Sequence, residues 1–136
     1  MEKEAFDQRD MTILIVDDEP RIRDFVRMNL ELEHYHVIEA SDGLEALEKL
    51  REYLPDLVIL DVMMPEMDGF TFLRQLQSNL MIQNIPVVLL TATAHQLDPQ
   101  QLPLLGVRGA IAKPFNVLSL TNEIAKALGW SLETQN

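Results

Sequence analysis

The sequence predicts an α/β fold in which a doubly wound parallel sheet is covered by helices on both faces. Short apolar, β-branched runs bounded by turn residues recur along the chain, the signature of buried strands. Between them apolar residues return at helical spacing. Strands that alternate with helices from end to end join through right-handed crossovers, which specify a parallel sheet. At 136 residues the chain has the length of one domain, enough to bury a core without staples. We expect a charged N-terminal extension over residues 1–10, the domain over 11–128, and a short polar tail over 129–136.

Each element has its own signal. Met11 to Val16 reads as the first strand, and Asp17-Asp18-Glu19-Pro20 follows it at once. Pro20 suits a first helical turn, and Ile22, Phe25, Val26 and Leu30 form an apolar stripe opposite Arg21, Arg23, Arg27 and Glu31. Tyr35 to Ala40 is a second strand. Asp42 and Glu45 are spaced as the capping box of a second helix, whose buried side is marked by Leu47, Leu50 and Leu54 and whose end is Pro55. Leu57 to Leu60 is a third strand, ending at Asp61, where the carboxylate is expected to meet solvent. Pro65, Asp68 and Gly69 break the chain before a third helix marked by Phe72, Leu73 and Leu76.

Pro86 to Leu90 is a fourth strand ending in Thr91-Ala92. Asp98, Pro99 and Gln101 resemble an N-cap, an N1 proline and a capping partner, but Pro103 would remove a hydrogen bond one turn later, so a short or kinked fourth helix is expected. Leu97, Leu102, Leu104 and Leu105 give this stretch a largely uncharged face, for the core or for a partner. Ala110 to Ala112 is a short fifth strand before Lys113-Pro114. Val117, Leu120, Ile124 and Leu128 mark the last helix, which Gly129 stops, with Trp130 placed to pack on that cap.

Composition excludes several functions. No cysteine is present, so neither a disulfide framework nor a thiolate metal site exists. The net charge of −11 argues against direct nucleic-acid binding. Residues 1–68 carry 19 acidic and 7 basic side chains, whereas 69–136 carry 3 and 4, an asymmetry read as a surface gradient. No apolar run approaches a membrane span or a signal segment, and a cytoplasmic location is expected.

In doubly wound sheets the site lies outside the carboxyl ends of the strands. Asp17, Asp18, Asp61, Thr91 and Lys113 all fall at such ends and are expected in one cleft. Three carboxylates there would raise one another's pKa unless a cation were present. All-oxygen ligands, with room left for water and a phosphate oxygen, favour Mg²⁺ and then Mn²⁺. Lys113 adds a compact positive charge and Thr91 a hydroxyl, and phosphoryl transfer needs little more than positioning and charge neutralisation. A carboxylate nucleophile would give an acyl phosphate.

The motifs Ile15-Val16-Asp17-Asp18-Glu19, Leu60-Asp61-Val62-Met63-Met64-Pro65-Glu66-Met67-Asp68-Gly69, Leu90-Thr91-Ala92 and Lys113-Pro114-Phe115 resemble those of response-regulator receiver domains (CheY-like) of two-component phosphorelay signal transduction, over about residues 11–128. The resemblance implies a flavodoxin-like five-stranded sheet of order 2-1-3-4-5 with five helices. It implies that Asp61 accepts a phosphoryl group from a sensor histidine kinase or histidine phosphotransfer protein. By the same resemblance Asp17, Asp18, Asp61 and the main-chain carbonyl of Met63 hold Mg²⁺, Thr91 and Lys113 hold the phosphoryl group, and the Lys113–Pro114 bond is cis. Such a domain is not an enzyme: its chemistry is its own phosphorylation and dephosphorylation.

One departure stands out. Receivers usually carry Tyr or Phe three residues before the lysine, and here that residue is Ala110. The expected function is a stand-alone phosphoacceptor switch, since the tail is too short for an output domain, signalling to a protein partner or by self-association through the face around residues 95–128. Neither nucleic acid nor membrane is expected as a partner. The alternative is a constitutive protein-interaction module, pseudo-receiver-like, whose output ignores phosphorylation. A haloacid-dehalogenase-like phosphatase would need an acid where Met63 stands. His34, His36 and His95 lack metal-ligand spacing and are read as loop residues, and Met63, Met64 and Met67 as loop packing.

Overall fold

The alternation of apolar runs and amphipathic stretches resolves into β1 (Thr12–Val16), α1 (Pro20–Leu32), β2 (His36–Ala40), α2 (Gly43–Glu52), β3 (Leu57–Asp61), α3 (Gly69–Gln77), β4 (Val87–Thr91), β5 (Val107–Ala112) and α4 (Val117–Ala127). The structure is a computed structural model that describes residues 11–62, 69–92 and 97–129. The expectations for residues 1–10, for Met63 to Asp68, for His95 and for Trp130 lie outside those residues. The sheet is parallel throughout, with strand order β2-β1-β3-β4-β5.

Successive strand side chains point to opposite faces, so each strand feeds two cores. Leu14, Val16, Val58, Leu60, Val87 and Leu89 pack on one face with Phe72, Leu73 and Leu76 of α3 and Leu50 of α2. Ile13, Ile15, Ile59, Val88, Leu90 and Ile111 face the other way, onto Val26 and Leu30 of α1 and Leu120 and Ile124 of α4. β3 is buried along its whole length, which is why it reads as an unbroken apolar run and not as an alternating one.

Four elements differ from their sequence signals. Among the described residues the α-helices are four, and the fourth crossover carries only a 3-10 turn, Pro103–Leu105, in place of a fifth. Asp98 caps a turn there, its side chain accepting from the Gln100 N–H at 2.9 Å. Pro103 has no N–H to continue an α-helical ladder, and Gly106 at φ 80° ends the segment. Leu97, Leu102 and Leu105 pack against the core, whereas Leu104 is exposed.

Leu54 is not on the buried side of α2. That helix ends at Glu52, before Leu54, whose side chain is exposed. Phe25 of the α1 stripe is only part-covered and meets the Phe115 ring edge-on, with centroids 5.7 Å apart. β5 is longer than its apolar core suggests, beginning at Val107.

The start of α2 shows local chemistry fixing an element. Asp42 accepts from the Glu45 N–H at 2.8 Å, as expected. Glu45 reaches one residue further back than a standard capping box, accepting from the Ser41 N–H at 2.7 Å and the Ser41 hydroxyl at 2.8 Å. These bonds hold the Glu45 carboxyl below its ordinary pKa. Replacing Asp42 by Ala should lower the unfolding free energy by about 1 kcal/mol in urea titrations. The Glu45 contribution is present above the ordinary glutamate pKa of about 4.3 and is lost as pH falls through the lower folded value. The stability gap between the wild type and Glu45→Gln should therefore be steady near neutrality and close in acid.

Candidate functional site: an acidic pocket with a shared lysine

β1, β3, β4 and β5 end side by side, and the residues that follow or finish them meet. Asp17 leaves β1, Asp61 closes β3, Thr91 closes β4, and Lys113 follows β5, its N–H donating to the Thr91 carbonyl at 2.9 Å. Asp17, Asp61 and Thr91 are the buried polar residues among those described. Asp61 is 4% exposed, so its carboxylate is more enclosed than the end of a strand suggests. A cleft of about 390 Å³, lined by Asp18, Glu19, Asp61, Ala92 and Lys113, opens beside it.

The Lys113 ammonium sits among three carboxylates, with Nζ 3.2 Å from Asp17 Oδ2, 3.4 Å from Glu19 Oε1 and 3.6 Å from Asp61 Oδ2. Burial pulls the pKa of Lys113 down. The charges of Asp17 and Asp61 and the hydrogen bonds to Asp17 and Glu19 outweigh it, so the amine is held above its ordinary value and stays charged. Burial is also the largest influence on Asp17 and pushes its carboxyl up. The Glu19 N–H, 2.9 Å from Asp17 Oδ1, and the Lys113 charge offset only part of that shift. The expected mutual repulsion of the acids is thus secondary to burial at Asp17.

Carboxylate oxygens of Asp17, Asp18 and Asp61 lie within 4.8 Å of one another. That spacing and an all-oxygen donor set fit a small hard cation, and the exposed Asp18 leaves the site open to water. The Lys113–Pro114 bond is cis. Of the sequence-derived set, Asp17, Asp18, Asp61, Thr91 and Lys113 converge at this edge, while Met63 is outside the described residues. His34 and His36 are exposed in the turn before β2 and in its first residue. Among the described residues the titratable metal-ligand cluster is Asp17, Asp18 and Asp61, with neither histidine in it.

Three further residues support the site. Glu19 shares Lys113. Arg23, on the polar face of α1, reaches the Asp17 carbonyl. Its signal in the sequence is Glu39, a lone charge inside an apolar strand, which pairs with it. Gly69 opens α3 directly against β3, its N–H donating to the Val62 carbonyl at 2.9 Å. A Cβ there would lie 2.6 Å from Val62 Cα and 3.1 Å from the Asp61 carbonyl oxygen.

A doubly wound parallel sheet with acids and a lysine at its carboxyl edge defines a CheY-like α/β domain with an acidic pocket. The family model for the response regulator receiver domain matches residues 13–125, and the chain belongs to that family. It is 38% identical over 122 residues to the response regulator GtcR of Aneurinibacillus migulanus, covering 90% of this chain and 49% of that protein. It is 41% identical over 104 residues to the alkaline phosphatase synthesis transcriptional regulatory protein PhoP of Bacillus subtilis, covering 76% and 42%. The chain thus spans about half or less of these curated relatives. Among solved structures it resembles the chemotaxis response regulator CheY4 of Vibrio cholerae, with a TM-score of 0.79 and 32% identity over 86% of this chain and 98% of that one. It also resembles the receiver domain of the sensor histidine kinase PA1611 of Pseudomonas aeruginosa, solved with magnesium in its active-site cleft, with a TM-score of 0.78 and 26% identity over 88% and 98%.

Receiver domains of two-component systems are phosphoacceptor signalling domains, not enzymes in the usual sense. They bind Mg²⁺ at an acidic site and interact with histidine kinases or phosphotransfer proteins. No helix among the described residues is long and apolar enough to cross a membrane. Substituting Gly69 by Ala should force α3 and the end of β3 apart, lowering stability by about 1–3 kcal/mol in urea unfolding and shifting the backbone amide resonances of Asp61 and Val62.

Proposed function

We propose that Asp61 accepts a phosphoryl group from a phosphohistidine donor in a Mg²⁺-dependent reaction, and that the product signals through protein–protein contacts around residues 95–128. The observation that carries this reading is the single Lys113 ammonium lying between the buried carboxylates of Asp17 and Asp61. Asp17, Asp18 and Asp61 would hold the metal together with the main-chain carbonyl of Met63, and Mn²⁺ suits the same donors. When bound, the ion supplies positive charge against the phosphoryl oxygens.

The chain's own residues do the rest. An oxygen of the Asp61 carboxylate forms the new bond to phosphorus as the bond from phosphorus to the donor imidazole nitrogen breaks. The imidazole keeps that electron pair. Lys113, already 3.6 Å from Asp61, pairs with the incoming phosphoryl oxygens, and the Thr91 hydroxyl donates to the same group. The acidic composition disfavours a direct role on nucleic acid.

A specific feature favours a second reading, the constitutive interaction module. Ala110 is only part-buried, where the family usually places an aromatic ring. A cleft of about 500 Å³, lined by residues that include Ala110, Phe115, Ser119 and Glu123, borders it. A methyl group cannot relay a movement of Thr91 as a ring would.

Incubation with Mg²⁺ and acetyl phosphate, followed by intact mass measurement, tests the first reading. One phosphoryl group should be taken up, and uptake should vanish in Asp61→Asn or with EDTA. Size-exclusion and binding to a cognate kinase or partner should then differ between the two forms. No uptake, or equal binding by both forms, would move the assignment to the constitutive module. Mg²⁺ at ten times its Kd should also add about 1.4 kcal/mol of stability to the wild type, seen as a higher melting temperature, and have little effect on Asp61→Asn.

A further inference from the structure

Asp18 is the exposed member of the acidic trio, and its carboxylate has neither a hydrogen bond nor an ion pair among the described residues. Its side chain is therefore aimed by its backbone, and above all by the peptide plane that joins it to Asp17. That plane is anchored at its carbonyl. Arg23 Nη1 donates to the Asp17 carbonyl oxygen at 2.6 Å. The same guanidinium is fixed from behind, its Nε donating to Glu39 Oε1 at 3.1 Å, and Glu39 also accepts from Arg27. On the other side the Asp17 N–H donates to the Ala40 carbonyl at 3.1 Å, and the Glu19 N–H to Asp17 Oδ1 at 2.9 Å. The Arg23 side chain is 18% exposed and Glu39 27%, so the pair is shielded more than a surface salt bridge.

We infer that Arg23 is a positioning residue for the cation site: by holding the Asp17 carbonyl from α1, it sets the peptide plane that presents Asp18, and Glu39 of β2 holds Arg23 in place. This rests on the reading of Asp17, Asp18 and Asp61 as metal ligands. Groups behind metal ligands commonly alter affinity by about 10–100-fold when removed. Here the sign of the effect separates positioning from plain electrostatics. Arg23 is a cation close to a cation site, so by Coulomb's law alone its removal should tighten metal binding. A positioning role makes removal weaken it.

The test is Mn²⁺ binding to the full unphosphorylated chain, read by electron paramagnetic resonance, for the wild type, Arg23→Gln, Arg23→Lys, Arg27→Gln and Glu39→Gln, with urea unfolding alongside. Arg23→Gln should raise the Kd about ten-fold. Arg23→Lys should recover part of the loss, since an ammonium reaches the carbonyl without the fork to Glu39. Arg27→Gln removes an equal charge one bond further out and should stay within about two-fold of the wild type or bind more tightly. In the metal-free protein the amide resonances of Asp18 and Glu19 should move in Arg23→Gln and hold still in Arg27→Gln. Were Arg23→Gln not to fold, Glu39→Gln should still weaken Mn²⁺ a few-fold. Arg23→Gln binding as tightly as the wild type, or Arg27→Gln losing as much, would overturn the inference while leaving the metal site standing. A wild type that fails to bind Mn²⁺ at millimolar concentration would remove both.

Discussion

Everything at the carboxyl edge of the sheet depends on one ammonium serving three carboxylates. Asp17 and Asp61 are buried, and two buried anions close together are unfavourable without a counter-charge. Lys113 supplies it, and it reaches both because the turn after β5 lies beside the ends of β4 and β3. The parallel topology is what makes this possible: residues 96 apart in sequence become neighbours because their strands finish at the same level. The ammonium has three N–H donors, and Asp17, Glu19 and Asp61 lie around it at 3.2, 3.4 and 3.6 Å. A group that brings its own charge into the cleft finds acids and amine already gathered.

The two cores serve this edge. Strand residues alternate between the α2 and α3 face and the α1 and α4 face, and both layers are closely covered. The last residues of β3 and β4 therefore have little freedom to drift. Gly69 then brings α3 against the end of β3 more closely than any side chain would permit. The contacts that cover the sheet are also those that hold the ends of its strands in place.

Much of the fold was legible because its signals are local and redundant. Short apolar runs such as Leu57 to Leu60, bounded by turn residues, read as buried strands, and the five residues at the strand ends follow from that alternation together with the family motifs. The pieces that escaped depend on contacts between distant segments. Arg23 looks like any solvated helix charge until β2 brings Glu39 beneath it. Leu54 follows the helical spacing of α2, but the helix stops at Glu52. Asp98, Pro99 and Gln101 spell a helix start, but among the described residues Pro103 and Gly106 leave tight turns and a 3-10 segment in its place. The spacing of Asp42 and Glu45 spells a cap, but the reach of Glu45 to Ser41 is a matter of geometry that spacing does not encode.

Among the described residues, what joins β4 to β5 is tight turns that end in the 3-10 segment Pro103–Leu105, and not an α-helix. A helix of two or three turns behaves as a rod: push one end and the other tilts. Pro103–Leu105, closed by the left-handed Gly106, has no such lever arm. A displacement that reached this turn would be absorbed over a few bonds, as a dent and not a swing.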